Sequence, residues 1–357
     1  MAFASKDLSL LGGFRKLCSG IDFRRKPTDP PRPSWSTETG YSPKTQTRTF
    51  LRGLGSLSVK HPIIVITGSS GAGTITVRTT FEEIFRREGV VPAIVEGDAF
   101  HRYDRESMQE KMIEKQRQGY ANFSHFGPEA NLFEELEALF REYGECGRGK
   151  VRRYLHNEED ARPHGLKAGM FTPWEDLPAA SDVLFYEGLH GAVKTDKVNV
   201  GRHADLLIGI VPSINLEWIQ KMHRDKSARG QTQEAIVETI LRRMPDYINY
   251  ICPPFSETQV NFQRVPIVDT SNPFTARHIP SQDESMLVIR FRDPRGVDFP
   301  YLLSMLKESF MTRANTIVCP GGKMPLAMQL IFTPMIWRLM ERRRQGCTDG
   351  RPGASII

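Results

Sequence analysis

The residues Gly68-Ser69-Ser70-Gly71-Ala72-Gly73-Thr74 stand between a short β-branched run at 62–67 (PIIVIT) and a stretch of helical character at 77–88. Glycines let consecutive backbone N–H groups turn toward one point, and a helix N-terminus behind them adds a positive dipole. Together these make a cradle for phosphate. The spacing Gly68-x4-Gly73 is that of a P-loop, which implies a nucleotide triphosphate, with two departures. Thr74 stands where a lysine would reach the β- and γ-phosphates, and Ile75 where a hydroxyl would touch Mg²⁺, leaving Thr74 or Thr76 as the nearby hydroxyls. The plainer account, a Gly-rich turn that only connects two elements, fits the strand-loop-helix context less well.

Carboxylates follow where an open α/β sheet gathers its ligands, beyond the carboxyl ends of its strands. Asp98 lies just past a strand expected over 91–96, placed either to take a proton from a substrate hydroxyl or to cap a helix starting near Ala99. His101 and Arg105, close by in DAFHRYDR, suit a phosphorylated substrate. Glu187 closes an apolar strand in YEGLHG, where an acid can serve Mg²⁺, and Gly188 and Gly191 imply close backbone approach there; a loop acid capping its turn is the alternative. Lys221, Arg224 and Asp225 fall at i, i+3 and i+4 of a helix expected over 215–225, with Arg229-Gly230 at a hinge after it. Charged helix faces are commonly just solvated. Three cations after a strand on the ligand edge also suit a lid over transferring phosphate, supplying the charge that Thr74 does not.

These groups need a scaffold that delivers several strand ends to one edge. Strand patterns at 62–67, 91–96, 181–186, 204–211 and 286–292 alternate with helical ones at 77–88, 106–118, 128–143, 215–225, 233–244 and 326–341. That alternation predicts an α/β fold with a mixed, mostly parallel sheet and helices on both faces. The chain has 357 residues, 39% of them apolar, which supports a sizeable core and excludes a disordered chain. Its formal charge of +6 falls wholly in residues 1–59; residues 60–357 carry 38 side chains of each sign, so the basic pI is no argument for nucleic-acid binding by the folded body. No apolar run approaches the ~18 residues of a membrane span. Five scattered cysteines without metal-ligand spacing fit a reducing, cytoplasmic setting better than a disulfide framework or zinc site.

Taken in order, GSSGAGT, VEGDAFHR, FYEGLHGAV, NLEWIQKMHRDKSARG, NFQRVPIVDTSNPF and RFRDPRGVDFPYL resemble the phosphoribulokinases of the bacterial type over about residues 60–338. The resemblance implies ATP- and Mg²⁺-dependent phosphorylation of the C1 hydroxyl of D-ribulose 5-phosphate, a Calvin-cycle step. It implies Asp98 as general base, Glu187 as the acid serving Mg-ATP, Lys221 on the transferring phosphate, and Arg224 and Asp225 in the lid. Arg105 and Arg229 would hold the sugar phosphate, with His101, Tyr154 and His156 around it. It further implies a homo-oligomer, an octamer in this type, activated by NADH, with Arg242 and Arg243 (LRRM) matching basic allosteric positions. The loop has no cysteine, so the disulfide control of the plant type is not expected. Ile75 departs from the family's serine.

A uridine kinase-like enzyme and a weakened nucleotide-binding paralogue, the latter motivated by Ile75, are the competing readings; a nucleic-acid-binding protein is disfavoured by the neutral body. Residues 1–59 mix Pro, Ser, Thr and Gly without period and read as a flexible basic leader, either upstream sequence joined by a misplaced start or a transit peptide. The enzyme domain is expected over 60–341, with a fraying tail from Arg342.

Overall fold

A computed structural model describes residues 61–68, 74–120 and 122–348. In chain order the elements are β1 (Ile63–Gly68), α1 (Thr74–Glu88), β2 (Pro92–Glu96), α2 (Arg105–Arg117), α3 (Phe133–Cys146), β3 (Lys150–Val151), β4 (Glu175–Asp176), β5 (Val183–Gly188), β6 (Leu206–Val211), α4 (Ile214–Arg229), α5 (Gln233–Asp246), β7 (Val260–Pro266), β8 (Ser285–Phe291), α6 (Phe299–Met305), β9 (Phe310–Arg313), β10 (Thr316–Pro320) and α7 (Met324–Thr348), with a few short helical turns between them. Eight strands form one sheet in the order β2-β5-β1-β6-β7-β8-β10-β9. The first five are parallel; β8 reverses against β7, and β10 and β9 continue antiparallel. The strands β3 and β4 pair separately.

The continuous apolar run of β1 suits a strand covered on both faces, and every residue of it is buried. On one face α1 and α7 press Phe81 and Phe332 together at 5.2 Å between ring centres, with Phe81 equally close to Phe185 of β5. On the other, Leu136, Phe140 and Tyr143 of α3 cover Ile63, Val65 and Tyr186. Burial of a side chain of this size contributes about 1.5–3 kcal/mol, so the two layers lock the parallel strands and fix where their carboxyl ends lie. Among the described residues no helix is long and apolar enough to cross a membrane.

Several boundaries differ from the sequence reading for identifiable reasons. The helix expected over 128–143 breaks: Pro128–Ala130 is a 3₁₀ turn and α3 begins at Phe133, with Asn131 extended between them (φ −131°, ψ 157°) and its carboxamide bonded to the local His125 and Gly127 carbonyls. The strand expected to stop before Glu187 runs through Gly188, putting Glu187 in the ladder opposite Ile66 and Glu96. Helix α4 continues past Asp225 to Arg229 and is closed by Gly230 at φ 61°. Where fraying was expected from Arg342, α7 continues to Thr348, and Arg343 reaches Asp182 at 2.7 Å. Strands β7 and β10 go beyond those read from the sequence, although Val260 and Phe262 alternate with polar neighbours as a strand would. Residues 1–60, with the leader expected there, and the chain beyond Thr348 lie outside the described residues.

Candidate active site

At the carboxyl end of β2 the chain turns through a 3₁₀ segment, Gly97–Phe100, that carries Asp98. Asp98 is no helix cap: α2 starts at Arg105, and its cap is Asp104, whose Oδ1 accepts the Ser107 N–H at 2.8 Å. The Asp98 carboxylate instead meets His101 Nε2 at 3.2 Å and His156 Nε2 at 3.6 Å while 41% of its side chain stays exposed. His101 Nδ1 lies 2.8 Å from Asn131 Oδ1. Asn131 donates through Nδ2 to the carbonyls of His125 and Gly127, so its Oδ1 is the acceptor and His101 must donate from both nitrogens. That arrangement requires an imidazolium beside a carboxylate. Burial opposes both charges, yet the hydrogen bond and mutual attraction outweigh it: His101 titrates above its ordinary value, and Asp98, also drawn by His156 and His125, well below the usual carboxylate range.

Two neighbouring imidazoles are held neutral. Burial, aided by the charge on His101, pushes both His125 and His190 down to about 3. The His125 ring packs at a tilt 4.7 Å from that of His101, and His190 donates to the Phe126 carbonyl at 3.1 Å. The cationic His101 ring thus faces Asp98 with the neutral rings of His125 and His190 nearby.

Arg105, from the first turn of α2, donates its backbone N–H to the Gly169 carbonyl at 2.9 Å and its Nη2 to the His156 carbonyl at 2.8 Å. Gly169, at φ 92°, passes so close that a Cβ there would fall 2.6 Å from that of Arg105. Tyr154 packs its ring against His156 at 4.9 Å and within 6.4 Å of His101. Asp98, His101, Arg105, Tyr154 and His156 are therefore one neighbourhood.

Arg152 escaped the sequence reading. Its Nε donates to the Ala99 carbonyl at 2.9 Å and its Nη2 to the His101 carbonyl at 2.5 Å, gripping the Asp98 turn just beyond the carboxylate. The guanidinium lies over Phe171 at 3.7 Å and near Trp174 at 4.9 Å. Its partners are backbone carbonyls about fifty residues away, which leave no mark on the sequence around it.

On α4 the expected cationic face turns out to be tied down. Asp225 is completely buried and accepts from Lys221 and, at 3.0 Å, from Arg224 Nε. Burial works against its charge, but the two cations hold its carboxyl below the ordinary range; burial conversely pulls the Lys221 ammonium down, more than Asp225 restores it, with Arg243 adding repulsion. Arg243, from α5, lies 5.4 Å over the Phe126 ring, and its charge acts on His101, His125 and Lys221 alike. It belongs to this neighbourhood, whereas Arg242 lines a small separate cavity with Tyr120 and Phe123, its Nε buried without a hydrogen-bond partner among the described residues.

Glu187 sits half-buried at the end of β5, beside β1, whose last residue Gly68 leads into the glycine loop. Arg78 of α1 pairs with the adjacent Glu96 at 2.5 Å. No cluster of three acid, His or Cys side chains capable of holding a metal exists among the described residues. A lone strand-end acid fits Mg²⁺, which takes most of its oxygens from phosphate and water and needs only one or two carboxylates. Ser69, Ser70, Gly71, Ala72 and Gly73 lie outside the described residues, as do the side chains of Thr74, Ile75 and Arg229; Thr74 opens α1, Thr76 lies in its first turn, and Arg229 closes α4.

Comparison with known proteins places the chain in a family. Residues 63–271 match the model of the Phosphoribulokinase / Uridine kinase family. The chain is 66% identical over 289 residues to the chromosomal phosphoribulokinase of Cupriavidus necator and 64% identical over 286 residues to the phosphoribulokinase of Nitrobacter vulgaris, covering about 80% of this chain and 99% of each relative. The solved phosphoribulokinase from Rhodobacter spheroides superposes with a TM-score of 0.75 at 56% identity, over 80% of this chain and 99% of that one. By this family match and these identities, the chain belongs to the Phosphoribulokinase / Uridine kinase family.

Proposed function

We propose that the chain transfers the γ-phosphoryl group of ATP to the C1 hydroxyl of D-ribulose 5-phosphate, giving ribulose 1,5-bisphosphate in the Calvin cycle. The observation that carries this reading is the Asp98 carboxylate, kept ionised by His101, open on one side, and set past a strand end on the same edge as the glycine loop. The agreement in name of the relatives cited above favours ribulose 5-phosphate over uridine.

Phosphoryl transfer asks a protein mainly for positioning and charge neutralisation. Asp98 orients the C1 hydroxyl and takes its proton as the new P–O bond forms. A carboxylate this acidic is a weak base, so it acts late, when the oxygen has begun to bond to phosphorus and its proton has become acidic. Lys221 and Arg224 neutralise the transferring group, with Asp225 anchoring both, so that the positive charge lacking at Thr74 arrives from α4. Arg105 and Arg229 hold the sugar phosphate, with His101, Tyr154 and His156 around it. The glycine loop, residues 68–74 with Thr76, binds the nucleotide, and Glu187 holds Mg²⁺, whose contribution when bound is to screen the phosphate charges.

Activation by NADH through Arg242 and Arg243 and assembly into a homo-octamer follow from the family resemblance, and residence in the cytoplasm from the scattered cysteines. The position of Arg243 near both His101 and Lys221 supports a route from effector to chemistry. A coupled ATP-consumption assay offering ribulose 5-phosphate and uridine side by side, with and without NADH, tests the whole reading. Turnover confined to ribulose 5-phosphate supports it, and turnover with uridine alone, or with neither, removes it.

A further inference from the structure

The active site occupies the carboxyl edge of the parallel strands. At their opposite, amino edge lies an open cavity of about 770 Å³, within the range of small-molecule sites. Leu206, Leu207, Val260, Phe291, Met335 and Leu339 supply an apolar lining. Six cations, Lys194, Arg202, Arg292, Arg295, Arg338 and Arg342, share it with three acids, Asp205, Glu257 and Asp293.

On the rim, Arg202 meets Glu137 at 3.2 Å, Arg292 meets Glu257 at 3.3 Å and Arg295 meets Asp293 at 2.5 Å. Two further arginines come from α7. Arg338 and Arg342 are i, i+4 neighbours on α7, so their guanidinium groups repel across one turn. Among the described residues Arg342 Nη2 is buried with no hydrogen-bond partner, and so is Oδ1 of Asp205, the acid that offsets Arg342. Asp205 is 2% exposed and uses Oδ2 to accept the Ile63 N–H at 2.7 Å; burial pushes it up to about 7, so it is a weak counter-charge near neutral pH. A fold seldom leaves like charges adjacent and polar atoms orphaned around an apolar-lined space without an occupant. A dianion between two guanidinium forks would turn the repulsion into charge-assisted hydrogen bonds.

We propose that this cavity is a second ligand site, for a small organic phosphate with an apolar body: the phosphate is held by Arg338 and Arg342, and the body rests on Phe291, Leu206 and Met335. Nothing in the phosphotransfer reaction uses these residues. The site is separated from the chemistry by the length of the strands.

Phenyl phosphate is a suitable probe, titrated calorimetrically into the full chain with the catalytic site saturated by a non-hydrolysable ATP analogue and ribulose 5-phosphate. The expected result is one binding event per chain that persists under saturation, at least ten-fold tighter than inorganic phosphate. Arg342→Ala should weaken it at least ten-fold, and Arg342→Lys, which keeps the charge but loses the fork, several-fold; Asp98→Asn should leave it unchanged. Should Arg342→Ala fail to fold, Arg338→Ala gives the same readout from the other guanidinium. Displacement of phenyl phosphate by the ATP analogue, equal affinity for inorganic phosphate, no heat at millimolar concentrations, or indifference to the arginine substitutions would each overturn the proposal.

Discussion

Gly97 and Gly188 meet across the carboxyl edge with no room for a side chain on either: a Cβ on Gly97 would lie 2.8 Å from the Gly188 Cα, and one on Gly188 would lie 2.6 Å from the Gly97 Cα. Both also abut the Tyr186 hydroxyl. The contact ties the turn that carries Asp98 to the strand end that carries Glu187. Gly188→Ala should therefore push the two loops apart, and because the obstruction is backbone, relaxation is expensive. We expect loss of about 1–3 kcal/mol of stability, as for overpacked sites, together with a fall in kcat larger than any change in the KM for ATP. Chemical denaturation and steady-state kinetics on the same variant measure both.

Asp98→Asn retains shape and removes the charge that orients the hydroxyl. A fall in kcat of about 10²–10⁴-fold is expected, the usual range for a positioned base, with nucleotide affinity kept. Near-normal turnover would remove Asp98 from the mechanism.

The Asp98–His101 pair makes a stability prediction with a defined window. Asp98 titrates below its ordinary value of 3.8 in the folded chain, so its contribution is present above that value and lost as pH falls through the lowered one. His101 titrates above 6.5, so its contribution is complete below 6.5 and lost as pH rises through the raised value. The stability lost in His101→Gln should accordingly peak between about pH 4 and pH 6.5 and shrink on either side. Urea denaturation at a series of pH values reads it, and a pH-independent difference would contradict the ion pair.

Arg152→Ala removes no group assigned to the substrate but frees the Ala99 and His101 carbonyls. A displacement of the Asp98 turn of the order of 1 Å can cost about 10²-fold in rate, and the loss should fall on kcat more than on the KM for the sugar phosphate. Arg152→Lys should rescue little, because an ammonium cannot bridge two carbonyls and lie flat on Phe171 at once. Equal losses from a distant core substitution of matched stability would show that Arg152 acts only through folding.

Ile75 stands where relatives of this type place a serine beside Mg²⁺ in the sequence resemblance. Ile75→Ser should raise kcat/KM or lower the Mg²⁺ concentration needed for half-maximal rate. No change in either would mean that the hydroxyl at this place is dispensable.

The catalytic edge was legible in the sequence because strand ends and Gly-rich turns are local patterns. Asp98 and Glu187 could be placed by position alone, and the sheet's mixed, mostly parallel character followed from the alternation of elements. What stayed hidden depends on distant partners. Asp225 reads from the sequence as one charge of a lid face, and only the fold shows it wholly buried beneath Lys221 and Arg224. Arg152 acts on carbonyl groups, which every residue possesses. Asn131 looks like a residue inside a helix until its amide is found between His101, His125 and Gly127. Arg243 was marked by resemblance as a regulatory position, and only the fold places its charge on His101 and Lys221.

The reversal of direction between β7 and β8 divides the chain's inheritance. The family model ends at residue 271, just after β7, the last parallel strand, so what the wider family shares is the half whose strand ends face the chemistry. The antiparallel half and α7 lie in the stretch that this chain holds in common with its phosphoribulokinase relatives along nearly their whole length. The second part still bears on the first, because Phe332 of α7 packs against Phe81 of α1 and Phe262 of β7, so the flank braces the strands whose ends meet the phosphate.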